Sequence, residues 1–194
     1  MSGPFDADDN ATPLTPEERN GLIPTYVTLR GELNEIEQQN ILEADQWAFG
    51  RKRDILGKPF LRGLHRRMFN RVWRWAGTYR TSERNLGVPP YRIEPDLRQL
   101  LDDVSYWIAH KTYPADELAV RFHHRLVSIH PFPNGNGRWS RLAADILIVE
   151  LAGKRFTWGS ANLQSAGDIR RMYIDALHAA DNHDVGPLVA FARS

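Results

Sequence analysis

The stretch His130-Pro-Phe-Pro-Asn-Gly-Asn-Gly-Arg-Trp-Ser-Arg141 combines an imidazole, a turn of small residues and two arginines. Glycine lacks a Cβ, so a turn with glycines at positions 135 and 137 lets main-chain N–H groups approach an anion closely. Apolar residues recur at helical spacing after this turn, which predicts a helix beginning near Gly137. A helix N-terminus carries unpaired N–H groups and the positive end of the macrodipole, and the stretch therefore predicts a phosphate site.

The side chains around this turn are suited to group transfer. Arg138 and Arg141 stand three residues apart, so they share a face of the first helical turn and suit neighbouring phosphates. His130 precedes the turn as a candidate base near neutral pH. We expect Phe132 to anchor the loop in the core, and the Asn134 amide oxygen to be a weak candidate ligand for Mg²⁺. Together these residues predict catalysis by positioning, charge neutralisation and proton removal.

Composition narrows the class of protein. The chain has 194 residues, which suits one compact core, and its 42% hydrophobic and 25% charged residues are typical of a soluble domain. A net charge of +1 gives no reason to expect direct binding to nucleic acid. The absence of cysteine excludes disulfides and thiol chemistry and favours a cytoplasmic location. No apolar run approaches membrane-spanning length, so no membrane association is expected.

Helical periodicity dominates the chain and predicts an all-α fold. Apolar residues recur every three or four positions in residues 28–49, 61–77, 96–108, 115–129, 137–152 and 167–180. Asp96 is the expected N-cap of the third segment. Residues 187–190 are expected to form only a terminal turn.

Two stretches break the helical pattern. Residues 1–24 are rich in Pro, Asp, Asn and Thr, and are expected to form a flexible lead-in. Residues 78–95 contain one glycine, three prolines and short β-tolerant pieces, which predicts a small β-hairpin standing off the helical body. Arginine and lysine crowd residues 51–80, up to Arg80, and we interpret them as a solvated face rather than a polynucleotide-binding patch.

The stretch from His130 to Arg141 resembles the signature of the Fic (Fic/Doc) family, His-Pro-Phe-x-(Asp/Glu)-Gly-Asn-Gly-Arg-x-x-Arg. Every specified position matches except Asn134, and so many fixed positions make the match specific. The resemblance extends over about residues 56–191, and the whole chain is similar to the bacterial subgroup called mobile mystery protein B. It implies a Fic-type helical bundle with a small β-hairpin flap. Residues 56–194 would form the Fic domain, and residues 1–55 an N-terminal extension with one helix that is a candidate for regulation.

The resemblance also implies an activity. The usual reaction of the family is transfer of AMP from ATP to a Ser, Thr or Tyr hydroxyl of a target protein, with release of pyrophosphate. His130 would be the general base, Asn134 would occupy the Mg²⁺ position, and Tyr173 would lie at a position used near the nucleobase. The remaining nucleotide-binding residues would be an anion hole, of Gly135, Asn136 and Gly137, and a pair of arginines for the outer phosphates, Arg138 and Arg141.

The same resemblance implies partners and leaves alternatives open. A target protein would bind at the flap near Arg84–Ile93, and a helix-turn-helix protein is the expected partner in the subgroup. One alternative is a toxin-like module, as in toxin–antitoxin pairs, held by that partner. Another is a degenerate fold that binds nucleotide without transfer, because Asn134 replaces a carboxylate in the metal shell.

An inhibitory element is a further hypothesis. Many family members carry a helix with the pattern Ser/Thr-x-x-x-Glu-Gly/Asn, and residues 28–34 match it loosely through Thr28 and Glu32. On this hypothesis, Glu32 contacts Arg141 and blocks the γ-phosphate. The alternative is that Thr28 and Glu32 belong to an ordinary helix N-terminus, where acidic residues are favoured.

Overall fold

The computed structural model describes residue 4 and residues 14–151, 153–160 and 165–194. Within these residues the fold is helical, as the periodicity predicts, and the named elements contain no β-strand. The helices are α1 (Pro16–Arg19), α2 (Arg30–Phe49), α3 (Lys58–Phe69), α4 (Ile93–His110), α5 (Ala115–Ile129), α6 (Asn136–Glu150), α7 (Ala166–Asp181) and α8 (Gly186–Arg193), with a 3-10 turn at Pro90–Arg92. No helix in the described part of the chain is long and apolar enough to cross a membrane.

The core is built around α5 and α6, which pack against each other along their lengths. Helix α6 also contacts α3 and α2, while α4 and α8 pack against α5. Apolar side chains at helical spacing, such as Leu118, Phe122 and Leu126 on α5, are fully buried in this arrangement. The loop that joins α5 to α6 is therefore held at the centre of the bundle.

Two helix boundaries differ from the sequence prediction. Helix α4 begins at Ile93, so Asp96 lies inside its first turn and is not the N-cap. Proline at position 95 is tolerated there because N–H groups of the first turn have no intrahelical acceptor. The Asp96 carboxylate accepts a hydrogen bond from Arg92 at 2.7 Å. The predicted terminal turn is the longer helix α8, with Pro187 in its first turn.

The predicted β-hairpin is not formed, since residues 78–89 contain no strand. Proline lacks an N–H, so Pro89 and Pro90 cannot donate to a ladder, and the chain winds into the 3-10 turn instead. The side chain of Arg80 binds the carbonyls of Ser82 and Val88, which a neighbouring strand would otherwise use. We call residues 82–88 the flap segment.

The described part of the predicted lead-in is folded onto the domain. Thr15 and Glu18 form a capping box that starts α1. Leu22 makes a β-bridge with Trp73, and the Glu18 carboxylate pairs with Arg84 in the flap segment. Residues 1–3 and 5–13 lie outside the described residues, so the lead-in prediction is wrong for residues 14–24 and untested before them.

Candidate active site

Two left-handed residues shape the loop between α5 and α6. His130 ends α5 with φ +52°, and Gly135 precedes α6 with φ +79°. A Cβ added at Gly135 would lie 2.5 Å from Cζ of Phe69, so only glycine fits at this position. The turn between these residues directs the N-terminus of α6 toward the same cavity that His130 lines.

Aromatic packing holds the loop between α5 and α6 in the core. Phe132 is fully buried, as expected, and its ring stacks on His65 at 3.6 Å between centroids. His65 Nδ1 accepts a hydrogen bond from the Gly77 N–H at 3.0 Å, so the proton lies on Nε2, which donates to the Asn134 carbonyl at 3.0 Å. Burial lowers the pKa of His65 to about 3, and His65 is therefore a neutral brace of the loop.

Asn136 closes the loop with its side chain. Its Oδ1 accepts from the Phe132 N–H at 2.9 Å, and its Nδ2 donates to the Phe132 carbonyl at 2.8 Å. Because no side chain caps α6, the N–H groups of its first turn are left for another acceptor. The contribution that Asn136 and Gly137 offer to an anion is thus their main chain, and the Asn136 amide shapes the turn.

The first arginine of the motif is held by a residue that sequence reasoning missed. Arg138 donates to the carboxylate of Glu37 on α2 at 2.6 Å, and the same carboxylate accepts from Trp73 Nε1 at 2.6 Å. Glu37 is buried, whereas the side chain of Arg138 remains 33% exposed and lines the cavity. The pair is separated by 101 positions, so no local pattern could have revealed it.

The second arginine lies against Tyr173. The Arg141 guanidinium sits 5.3 Å from the centre of the Tyr173 ring, and the tyrosine hydroxyl shares a hydrogen bond with His123 Nε2 at 3.1 Å. Burial raises the pKa of Tyr173 to about 12 and lowers the pKa of His123 to about 3, so both are neutral at pH 7. A Cβ at Gly137 would lie 3.7 Å from this hydroxyl, which places Tyr173 beside the first turn of α6.

His130 lies in a protected and electropositive position. Its carbonyl accepts from Nε of Arg80 at 2.7 Å. Burial, and after it the charge of Arg80, lowers the pKa of His130 from 6.5 to about 4. The imidazole is therefore neutral at physiological pH and has a lone pair with which to accept a proton. Arg80 itself is buried, in contrast to the solvated position expected for it.

The predicted residues meet around one cavity of about 910 Å³. Eight of them line it, namely His130, Asn134, Gly135, Asn136, Gly137, Arg138, Arg141 and Tyr173. Arg30 on α2 and Arg170 on α7 also line the cavity, and neither was singled out from the sequence. The described lining residues thus include four arginines, at positions 30, 138, 141 and 170, but only one carboxylate, that of Asp181. This excess of positive charge favours a polyanion in the cavity.

Glu32 does not make the predicted contact with Arg141. Its carboxylate accepts from the main-chain N–H groups of Thr28 at 2.9 Å and Leu29 at 3.1 Å, at the exposed start of α2. These bonds lower the pKa of Glu32. Arg141 makes no ion pair within the described residues. The alternative of an ordinary helix N-terminus therefore describes this conformation.

The residues present fit a Mg²⁺ ion poorly. The Asn134 side-chain oxygen accepts from the Gly135 N–H at 2.6 Å, so it serves its own loop. Across the described ranges, no group of three or more His, Asp or Glu side chains is arranged to hold a metal. Mg²⁺ commonly arrives on substrate phosphates, with one or two protein carboxylates completing the shell. The metal role of Asn134 therefore stays a prediction.

Comparison with known proteins agrees with this geometry. The Fic/DOC family model matches residues 56–148. A protein adenylyltransferase Fic of Aedes aegypti is 31% identical over 146 residues, which are 72% of this chain and 28% of that protein. Residues 56–148 of this chain form a Fic/DOC family domain.

Other relatives extend the comparison. Protein adenylyltransferase fic-1 of Caenorhabditis elegans is 30% identical over 119 residues, 60% of this chain and 22% of that protein. The chain thus spans about a quarter of the length of the curated relatives it matches. A structure of Fic-1 from C. elegans aligns with a TM-score of 0.67 at 23% identity, over 91% of this chain and 52% of that one.

A bacterial structure shares the same fold. BepC of Bartonella tribocorum, solved with bound AMPPNP, aligns with a TM-score of 0.67 at 19% identity. The alignment covers 92% of this chain and 97% of that one, so the similarity includes residues on both sides of the Fic/DOC match.

Proposed function

We propose that this chain is a protein adenylyltransferase, which transfers AMP from ATP to a hydroxyl of a protein. The observation that carries the proposal is the meeting of a neutral His130, the uncapped N-terminus of α6 and the arginines Arg138 and Arg141 around one cavity. The curated relatives named adenylyltransferases support it, as does the ATP analogue bound to BepC.

The geometry suggests how the substrate would lie. The N–H groups of the first turn of α6 would receive the α-phosphate, and the two guanidiniums would neutralise the outer phosphates. The cavity is also lined by apolar side chains of α7, including Ile174 and Leu177, which suit the face of a nucleobase. Tyr173 lies beside Arg141, so we assign it to holding that arginine rather than to reading the base.

The reaction balances without further reactants. His130 accepts the proton of the target hydroxyl as its oxygen attacks the α-phosphorus. The new bond joins that oxygen to phosphorus, while the bond between the α-phosphorus and the bridging oxygen breaks and pyrophosphate leaves. Charge on the leaving group is stabilised by the arginines, which are already in place before the reaction.

Labelled ATP tests the proposal. The purified chain is incubated with a bacterial lysate and ATP labelled on either the α- or the γ-phosphate. We expect protein to acquire the α label but not the γ label, and His130→Ala to lower the rate by at least about 100-fold through loss of the base. His110→Ala is the matched control, since His110 is exposed on α4.

Two results would contradict the proposal. Transfer of the γ label would indicate a kinase, and ATP binding without any protein labelling would favour the degenerate nucleotide-binding fold. Whether a helix-turn-helix protein holds this chain is a separate proposal, which co-purification from the native cell would test.

A further inference from the structure

Arg80 is a buried cation with an unusual set of partners. Its side chain is 3% exposed and forms no ion pair with a carboxylate in the part of the chain that the structure describes. Three main-chain carbonyls accept from its guanidinium instead. Nε donates to His130 at 2.7 Å, Nη1 to Ser82 at 2.9 Å, and Nη2 to Val88. Hydrogen bonds of this kind are what makes a buried charge tolerable.

These three carbonyls join two functional parts of the site. One belongs to His130, the proposed base, and the other two stand at the first and last residues of the flap segment. The segment also packs directly on the base, since a Cβ added at Gly87 would lie 2.5 Å from the His130 Cβ. Arg80 therefore fixes both ends of the segment to the residue that removes the proton.

The middle of the flap segment forms part of the cavity wall. Asn85, Leu86 and Gly87 line the cavity together with His130, and Leu86 is 52% exposed although it is apolar. A protein is too large to enter a cavity of about 910 Å³, so its hydroxyl must reach His130 from the rim. The flap segment lines this cavity beside His130, and Arg80 binds both.

Two main-chain hydrogen bonds also connect this part of the chain to the end of α5 and the loop that follows it, so the local fold does not depend on the Arg80 side chain alone. The Arg80 N–H donates to the Pro131 carbonyl at 2.9 Å, and the Val88 N–H to the Ile129 carbonyl at 3.3 Å. These bonds do not depend on the side chain at position 80. A lysine there would keep the charge, but its single nitrogen lacks the planar fork that reaches three separate carbonyls.

We propose that Arg80 is a positioning residue, which holds His130 and the flap segment as one unit so that a hydroxyl presented at the segment arrives within reach of the imidazole. Misplacement of reacting groups by about 1 Å can cost on the order of 100-fold in rate, so such a link affects catalysis without touching ATP. The catalytic meaning of this inference rests on the proposed adenylyl transfer, whereas the contact itself does not.

Hydrogen exchange tests the contact without any activity. We compare the full-length chain with Arg80→Met, Arg80→Lys and the control Arg66→Met, which alters an exposed arginine of α3. Arg80→Met should speed amide exchange across residues 82–88 by at least tenfold and leave α4 unchanged, with Arg80→Lys intermediate. Unchanged exchange in the flap segment of Arg80→Met would overturn the proposal. Should Arg80→Met fail to fold, the comparison of Arg80→Lys with wild type decides in the same way.

Kinetics test the positioning role. With α-labelled ATP and lysate protein as acceptor, Arg80→Met should lower the maximal labelling rate by at least tenfold, with less than a twofold change in the KM for ATP. Arg80→Lys should recover part of the rate, and Arg66→Met should match wild type. A wild-type rate in Arg80→Met, or a rise in the KM for ATP that accounts for the whole effect, would contradict positioning. If the wild-type chain labels no protein, the proposed function fails and the exchange measurement alone decides on the contact.

Discussion

Asn134 stands where the family signature has a carboxylate, and its environment explains how the loop accommodates an amide. The side-chain oxygen receives the Gly135 N–H, and the carbonyl of the same residue receives His65 Nε2. Both contacts require only an acceptor, which an aspartate also provides. An aspartate could therefore make these two contacts as well, and it would replace the neutral amide with a carboxylate that carries one negative charge.

This compatibility makes Asn134→Asp an informative variant. We expect the added charge to lower the Mg²⁺ concentration for half-maximal labelling by roughly tenfold, the size of a ~1.4 kcal/mol interaction. The measurement is a Mg²⁺ titration of protein labelling from α-labelled ATP. An unchanged titration would show that the metal is held by the nucleotide and water alone.

The sequence reveals residues of the site that lie close together in the chain. His130, the turn and both arginines occupy one short stretch, so their spacing alone predicts a shared site. The contacts of Arg80 with His130 and of Glu37 with Arg138 could not be predicted from the sequence, because they span 50 and 101 positions. A charged residue in such a sequence is expected at the surface, and only the packed fold shows that it is buried.

Helices with strong apolar periodicity are predicted well. Helix α5 is observed at Ala115–Ile129, as its stripe of buried residues indicates. The prediction of a β-hairpin over residues 78–95 is wrong because β-tolerant pieces fold as strands only when a partner strand is available. Here the carbonyls of Ser82 and Val88 accept from the side chain of Arg80, and strand propensity does not account for such side-chain contacts.

Helix α2 reaches the motif through Glu37, and breaking this contact should weaken both the fold and the phosphate clamp. We expect Glu37→Gln to cost about 1–3 kcal/mol, because a partly buried Arg138 loses its counter-charge. The melting temperature should fall by several degrees, and the KM for ATP should rise several-fold. Calorimetry and labelling kinetics measure the two effects.

Glu35→Gln is the matched control for this prediction. Glu35 lies on the same helix but is exposed, so its substitution should change neither quantity. Equal melting temperatures and equal KM values for the two variants would contradict the role given to Glu37.

One hydrophobic core includes residues from both sides of the predicted domain boundary between residues 55 and 56. Leu33 and Ala44 on α2 belong to the same buried cluster as Phe69 and Leu142. The motif and the all-α class are visible in the sequence, whereas this shared core is not, because apolar periodicity shows which face of α2 is buried but not against what. The division into an N-terminal extension that is a candidate for regulation, residues 1–55, and a Fic domain, residues 56–194, stays a prediction.

Three buried histidines predict the pH dependence of stability. The pKa is lowered to about 3 in His65 and His123 and to about 4 in His130, mainly by burial. Below pH 6.5 the unfolded chain binds protons at these residues and the native state does not. The free energy of unfolding should therefore fall as the pH drops below 6.5, by up to about 4 kcal/mol per pH unit for the three together.

Urea unfolding at pH 7.5, 6.5 and 5.5 measures this dependence above the range in which most carboxylates titrate. His130→Ala removes one of the three groups and should reduce the slope by about a third, whereas His110→Ala should not. A free energy of unfolding that is flat between pH 7.5 and 5.5 would contradict the neutral, buried state of these histidines.

The left-handed backbone conformation of His130 is unfavourable for a residue with a side chain. A residue with a Cβ loses about 1–2 kcal/mol in this conformation relative to a right-handed one, and glycine does not. Glycine would be favoured at this position at the end of α5, yet it holds the histidine that we propose as the general base. The substitution His130→Gly would therefore remove this backbone strain together with the proposed general base.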